Sequence, residues 1–438
     1  MAVFEGRTEV ITRGAGLPGP PRAPAGERRD PYVLRALSGP EETALADAVL
    51  ADAFGIEGLV DGPPEHLVFE PSRNHVAEHR GEIVANLAAL TRRMTVPGAV
   101  LPAAHITRGG VRQTHRRRGL MTRLLGGQLR ESRDVHGEFL AVLWASEGRI
   151  YQRYGFGMAS QNQTFLIDNR EVRLNRPPDG SAGQLREAAP ARVGRELRAV
   201  YERVHPSRPG WSSRDDNVWH QLLEDPPPPF RQGYSAKRAL VFDGPDGPEG
   251  YAIWKRRQEW DGGVAKGEAS VVEVVAATPV SYAALWHFLL SVDLTRTVRC
   301  DFAAVDEPLL LLVNEPRDLG VSVSDGLWVR LLDLPGALSA RRYAVPLDVV
   351  IQVTDAMLPE NAGRWRLTVR DGEAACVATA DDPDLSGDVA DLGAAYLGGV
   401  SLGALGAAGR VREHRPGALA TASAAFGWHV GPSALDIF

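Results

Sequence analysis

The chain has 438 residues, of which 44% are apolar and 24% charged, with a formal net charge of −6 and two cysteines, Cys300 and Cys376. That length exceeds a single hydrophobic core and implies two or three domains. The acidic balance argues against a nucleic-acid partner, two cysteines make neither a disulfide framework nor a metal motif, and no apolar run approaches a membrane span. No secretory signal stands at the N-terminus, so a reduced cytoplasm is the expected compartment.

Residues 11–30 hold Gly14, Gly16, Gly19, Pro18, Pro20, Pro21 and Pro24 with few large apolar side chains, so 1–30 is expected to be a flexible extension. Residues 32–37 alternate like a strand, and Gly39-Pro40-Glu41-Glu42 opens a helix reaching Phe54, its early acids suiting the dipole. Strands are predicted over 82–91 and 100–107, divided by the turn Val96-Pro97-Gly98. A basic turn, an amphipathic helix over 119–134 and a buried strand over 138–144 follow, leading to Ala145-Ser146-Glu147-Gly148. The composition turns polar around 169–182. A second α/β stretch carries a helix at 193–204, a proline run at 226–229, a strand at 250–255 and a helix at 279–294. A third unit begins near Asp325, with strands at 347–353 and 363–369 before Ala/Gly/Leu-rich helices. Neither later unit shows a dense cluster of chemical groups.

Chemistry concentrates in residues 106–121. An apolar strand runs into Gly109-Gly110-Val111, then into Gln113-Thr114-His115-Arg116-Arg117-Arg118-Gly119-Leu120-Met121 at a helix start. Free N–H groups at a helix N-terminus, its dipole and forked guanidinium groups together suit a phosphate. The bland alternative is a solvated basic turn.

Arg116-x-x-Gly119-x-Met121 follows the Gln/Arg-x-x-Gly-x-Gly/Ala loop of GNAT acetyltransferases except at its third position. The string Thr-His-Arg-Arg-Arg-Gly-Leu, then residues 145–157 (ASEGRIYQRYGFG), closely resembles the enhanced-intracellular-survival (Eis) family of GNAT N-acetyltransferases. Thr95-Val96-Pro97-Gly98, Leu101-Pro102-Ala103-Ala104, Asp325-Gly326-Leu327-Trp328-Val329-Arg330 and Tyr396-Leu397-Gly398 resemble it too. The resemblance implies an α/β (α+β) chain of tandem GNAT-type domains followed by a sterol-carrier-like domain. The corresponding divisions are a catalytic domain at 31–165, a GNAT-like domain without cofactor at 166–317 and the third domain at 318–438. It implies acetyl-CoA as co-substrate, a small-molecule amine acceptor such as an aminoglycoside or polyamine, and a homohexamer.

By the same resemblance, Gly109, Gly110 and Val111 serve the pantetheine arm and thioester. Arg116, Arg117, Arg118, Gly119, Leu120, Met121 and Thr122 serve the phosphates, and Ser146 and Glu147 lie beside the cofactor. The family usually has Val-x-Val where this chain has Gly109-Gly110-Val111, and proline where it has Gln113, so looser packing is expected around the cofactor. Tyr151 matches the general acid, since a phenol with a pKa of ~10 can donate to a departing thiolate. Tyr154 competes with it but aligns with a packing position. The carboxylate of Phe438 matches the general base, with Asp436 as an acidic neighbour and substrate-side residue. An α-carboxyl is a weak base at pKa ~3.5, so its surroundings must raise it. Asp52 lies near an acid that holds cationic substrates, although a solvated helix-end aspartate reads equally well.

Other signals are weaker. Gly399-Val400-Ser401-Leu402-Gly403 imitates a nucleophile elbow without the strand that an elbow needs. His75 and His79 are four apart but read as a solvated pair, and no metal site is expected. His115 reads as structural or phosphate-side, and core packing is the default for each tryptophan. Two further readings stand beside amine acetylation: acetylation of protein lysines, and a non-catalytic protein binding apolar ligands in its third domain.

Overall fold

A computed structural model describes residues 30–56 and 70–438. The expected N-terminal extension, apart from Asp30, lies outside the described residues. The first unit comprises β1 (Val33–Ala36), α1 (Thr43–Phe54), β2 (Asn74–His79), β3 (Glu82–Val96), β4 (Ala99–Val111), α2 (Leu120–Asp134) and β5 (Leu140–Trp144). Strands β3 and β4 run longer than the sequence suggests and form one hairpin. Its turn at Pro97-Gly98 uses the positive φ (69°) of Gly98. β4 and β5 are parallel and therefore need a crossover, which α2 supplies. The helix buries Leu120, Leu124, Leu125 and Leu129 along one stripe. Alternation in β5 sends Ala141 and Leu143 to that core, and Leu140 and Val142 to the other face.

Segment 74–79, read from the sequence only as carrying a solvated histidine pair, is strand β2. It is a strand because Val76 and Ala77 are buried and its backbone pairs with both β1 and β3. His75 and His79 therefore do not lie on a helix, nor are they a solvated pair. His75 contacts Glu131 of α2 at 2.7 Å, and the His79 ring lies 5.1 Å from Tyr32 and 5.2 Å from His115.

The first sheet runs β1-β2-β3-β4-β5, followed by strands Leu327–Leu331 and Gly157–Met158. The second sheet repeats the plan: parallel strands Gly267–Ala276 and Thr295–Ala303 are joined through the helix Pro279–Leu290. Residues 322–331, expected to open the third unit, instead give one strand to each of the first two sheets. Ser322–Asp325 pairs with Gln161–Asp168 in the second sheet, and Leu327–Leu331 covers the free edge of β5 in the first.

The third unit is a five-stranded sheet with helices, and it shares one core with the first sheet. Met94, Val142 and Val329 pack in the same cluster as Val349, Tyr396 and Phe426. Beyond the helix Ala418–Phe426 the chain crosses to the second unit. There Arg208 donates to the Gly431 carbonyl (2.8 Å), Asp306 accepts the Gly431 N–H (2.8 Å), and Ser433 N–H reaches Pro209 (3.0 Å). Among the described residues no helix is long and apolar enough to cross a membrane.

Candidate active site

The site begins with an irregularity in β4. Asn86 pairs with Gly110 and Ala88 with Thr107, so Arg108 and Gly109 together oppose Leu87 in a β-bulge. The left-handed residue is Arg108 (φ 55°), not a glycine. The Asn86 amide donates to its carbonyl at 3.0 Å, and its guanidinium pairs with Asp47. Gly110 serves a different need: a Cβ there would lie 3.1 Å from the Ala53 Cβ, so the glycine lets α1 approach β4. β4 and β5 pair only over residues 103–105 and then diverge. Backbone groups of 106–111 on that side face a gap rather than a strand.

Residues 113–115 form a single helical turn, and Gly119 (φ 76°) leads into α2. With no side chain to cap the helix, Gly119 leaves first-turn N–H groups free, where the dipole favours an anion. The three arginines differ in their engagements. Arg116 donates to the carbonyls of Ala53 (2.9 Å) and Val111 (3.2 Å), and Arg118 to the Tyr32 hydroxyl (2.9 Å) and the Thr114 carbonyl (3.2 Å). Arg117 is exposed with φ 61°, and its guanidinium has no partner among the described residues. His115 joins the rings of Tyr32 and His79; burial, with Arg118 and His79 beside it, holds its imidazole below the ordinary value. Asp52 accepts the Gln113 N–H at 3.3 Å, is exposed and does not line the cavity. Its carboxylate caps the turn there.

The expected loosening around the cofactor is met by a paired change. A Cβ on Gly109 would sit 3.2 Å from Leu87 Cδ1 and 3.6 Å from Met121 Cε, so Met121 fills the space left by the missing strand side chain. The two departures from the family pattern are one exchange of volume across the strand and helix.

Tyr151 is half-buried, edge-on to Phe156 at 6.2 Å. Burial pushes its phenol above the ordinary value against the pull of a Ser146 hydrogen bond, while Tyr154 and Glu147 add to the rise. It is therefore protonated at neutral pH. Tyr154 is buried, with its hydroxyl 3.2 Å from Thr122 Oγ1. Glu147 is exposed and paired with Arg149 at 2.7 Å.

A cavity of about 1240 Å³ lies between the first and second units. Gly109, Ser146 and Tyr151 line it from the first unit, and the chain terminus lines it through residues 435–438. The Trp144 indole donates to the Asp436 carbonyl at 3.0 Å, Arg92 pairs with the Asp436 carboxylate at 3.1 Å, and the Phe438 ring lies 4.5 Å from His105. Burial alone would raise the Asp436 carboxyl, but Arg92 and Arg214 hold it below its usual range. Fully buried His105 bonds Ser212 Oγ (2.7 Å), and burial, reinforced by Arg92, lowers its pKa to about 3. Behind it Arg214 and Glu273 form a buried pair at 2.7 Å, with the Tyr251 hydroxyl donating to Glu273 at 2.7 Å.

The second unit, which looked chemically empty in sequence, adds Glu224, Asp225, Glu273 and Asp301 to the cavity wall. Glu273 is taken by Arg214, Asp301 by Arg299 (2.8 Å), and Asp225 by the Lys237 N–H (3.0 Å). Glu224 is exposed and lies beside the Lys237 ammonium, which donates to its backbone carbonyl at 2.7 Å. These acids are scattered over 78 positions, and only the fold gathers them. Helix Pro279–Leu290, the counterpart of α2, differs at its start. Thr278 and Ser281 form a capping box there, with Glu249 accepting from the Thr278 hydroxyl at 3.0 Å. Its Ser281 N–H is thus satisfied beside a carboxylate that repels phosphate.

The remaining sequence signals are structural. Ser401 caps a helix by accepting the Ala404 N–H at 3.0 Å, and Cys300 and Cys376 are buried thiols. Trp260 is exposed on a short hairpin rather than packed in a core.

Residues 40–159 and 210–331 each match the acetyltransferase (GNAT) domain, and residues 334–434 match the sterol carrier protein domain. An N-acetyltransferase of Streptomyces avermitilis is 44% identical over 350 residues, covering 80% of this chain and 85% of the relative. N-acetyltransferase Eis of Mycobacterium bovis is 32% identical over 356 residues, covering 79% and 83%. The crystal structure of Eis1 from Mycobacterium abscessus superposes with a TM-score of 0.78 at 33% identity, covering 93% of this chain and all of that one.

Proposed function

Because the chain belongs to the Eis family of acetyl-CoA-dependent GNAT N-acetyltransferases, we propose that it acetylates amines of aminoglycoside-like or polyamine acceptors by direct transfer. The observation that carries this reading is the cavity shared by Tyr151, Phe438 and the carboxylates of the second unit. In the proposal, the free N–H groups at the start of α2 and the Arg117 guanidinium take the pyrophosphate. The pantetheine lies in the gap between β4 and β5, beside Ser146.

The acceptor amine attacks the thioester carbonyl and forms the new C–N bond. The Phe438 α-carboxylate takes the proton that the amine loses. The C–S bond breaks, and Tyr151 gives its proton to the leaving thiolate, for which its raised pKa leaves it charged with a proton at rest. Exposed Glu224 on the opposite wall is a carboxylate that a second cationic group of the acceptor can reach, which favours a polyamine over a single isolated amine. The proposal includes assembly as a homohexamer, which light scattering checks.

Thiol release from acetyl-CoA, measured with aminoglycosides, linear polyamines and lysine peptides, tests the acceptor class. Turnover with polycationic small molecules is expected to exceed that with peptides. Preference for peptides would overturn the acceptor assignment, and no turnover with any amine would overturn the mechanism.

A further inference from the structure

The terminal carboxylate faces a physical difficulty on the proposed mechanism. Two arginines, Arg92 on β3 and Arg214 from the second unit, line the same cavity end as Phe438. A carboxylate that forms an ion pair with arginine becomes a weaker base, and an α-carboxylate is weak already. The charged and titratable groups that face the Phe438 ring or Asp436 are Arg92, neutral His105 on β4, Arg214, Glu273 on Gly267–Ala276 behind it, and Tyr201, while Tyr151 lines the same cavity. Arg214 is taken by Glu273, and Arg92 by Asp436. Among the described residues, Phe438 itself is held through its ring alone, by His105 and under the Arg92 guanidinium at 5.8 Å.

We propose that Asp436 is a positioning residue: it occupies Arg92 and, through its carbonyl on Trp144, fixes the terminal segment, so that the Phe438 carboxylate two residues on stays unpaired. The sequence had assigned Asp436 to the substrate side. In the structure its carboxylate is already committed to Arg92, which leaves it little to offer an acceptor cation. Two arginines and two acids cancel, so the terminal carboxylate is the unmatched charge of this group. The fixation is geometric as well. Ile437 is 64% exposed and adds no anchor, so Asp436 and the Phe438 ring must hold the terminus between them.

This inference rests on the reading of Phe438 as the base, and its test separates the two. Asp436→Asn in the full chain releases Arg92 to pair with the terminal carboxylate. We expect kcat at pH 7 to fall about tenfold, with the acetyl-CoA KM within about twofold. The acidic limb of the pH profile should move down by about one unit, because a freed arginine stabilises the carboxylate anion and weakens the base by about the same factor as the rate. The double variant Arg92→Met with Asp436→Asn removes the freed charge and should return the limb, with kcat within about threefold of the parent. A single variant with unchanged kcat and limb overturns the proposal, as does one that changes only the acceptor KM. A double variant no better than the single one overturns it too, since lost structure would not be rescued by losing a second charge. Failure of the base assignment itself reads out elsewhere, as full activity in a chain extended past Phe438.

Discussion

At the scale of single residues, protonation states decide what each group can contribute. Tyr151 keeps its proton well past neutrality because burial disfavours the phenolate, so a rate that depends on it should persist through pH 7–9. Tyr151→Phe keeps the ring contact with Phe156 but loses the proton. Its kcat should drop by about 10²–10³ with little change in acetyl-CoA affinity, measured by steady-state rates and by equilibrium binding. His105 is the opposite case, a buried imidazole held neutral with a pKa of about 3. As pH falls below the ordinary histidine value of about 6.5, the unfolded chain takes up the proton first and stability is lost. Between pH 7 and pH 5 that loss is about 2 kcal/mol, at about 1.4 kcal/mol per unit. His105→Gln, which can still reach Ser212, should show a correspondingly smaller acid loss in denaturant midpoints. Nothing in the sequence marks His105, Arg92 or Trp144. Their importance comes from strands β3, β4 and β5 passing under one chain terminus, which no local pattern records.

At the scale of elements, the sequence was legible where the signal is local. The basic turn, the amphipathic α2, the buried β5 and the helix 43–54 all follow from periodicity and capping residues. Strand β2 was missed because its apolar core is only Val76 and Ala77 between polar residues. The strand Leu327–Leu331 reads locally as the start of a third unit, since its place beside β5 is set by an edge nearly 190 residues upstream. The departures Gly109 and Met121 looked like independent defects, yet they are one packing solution. Gly109→Val should therefore crowd Leu87 first and Met121 behind it, and raise the acetyl-CoA KM several-fold. Adding Met121→Ala should recover part of that loss by letting the new side chain and Leu87 relax into the freed space, a non-additivity that a double-mutant cycle measures. If the two changes simply add, the exchange of volume is not what links them.

At the scale of the whole molecule, three units converge on one cavity. The first brings the uncapped start of α2 and Tyr151, the second brings carboxylates, and the third shares the first unit's core and hands its final residues across to the second. The proposed cofactor half was legible in the sequence because its basic turn is contiguous. The acceptor half was invisible because Glu224, Asp301 and Asp436 are each ordinary surface-type acids until the fold assembles them. A weak base at the end of a chain can serve only if that end is delivered and kept from its neighbouring cations, and the anchors at Gly431, Ser433 and Asp436 are spaced along that path. The most direct measurement is turnover of a chain extended by a short Gly-Ser tail after Phe438, read as thiol release with a polycationic amine. Loss of turnover, with acetyl-CoA binding and the unfolding midpoint unchanged, is the predicted result. Full turnover by the extended chain would contradict the account.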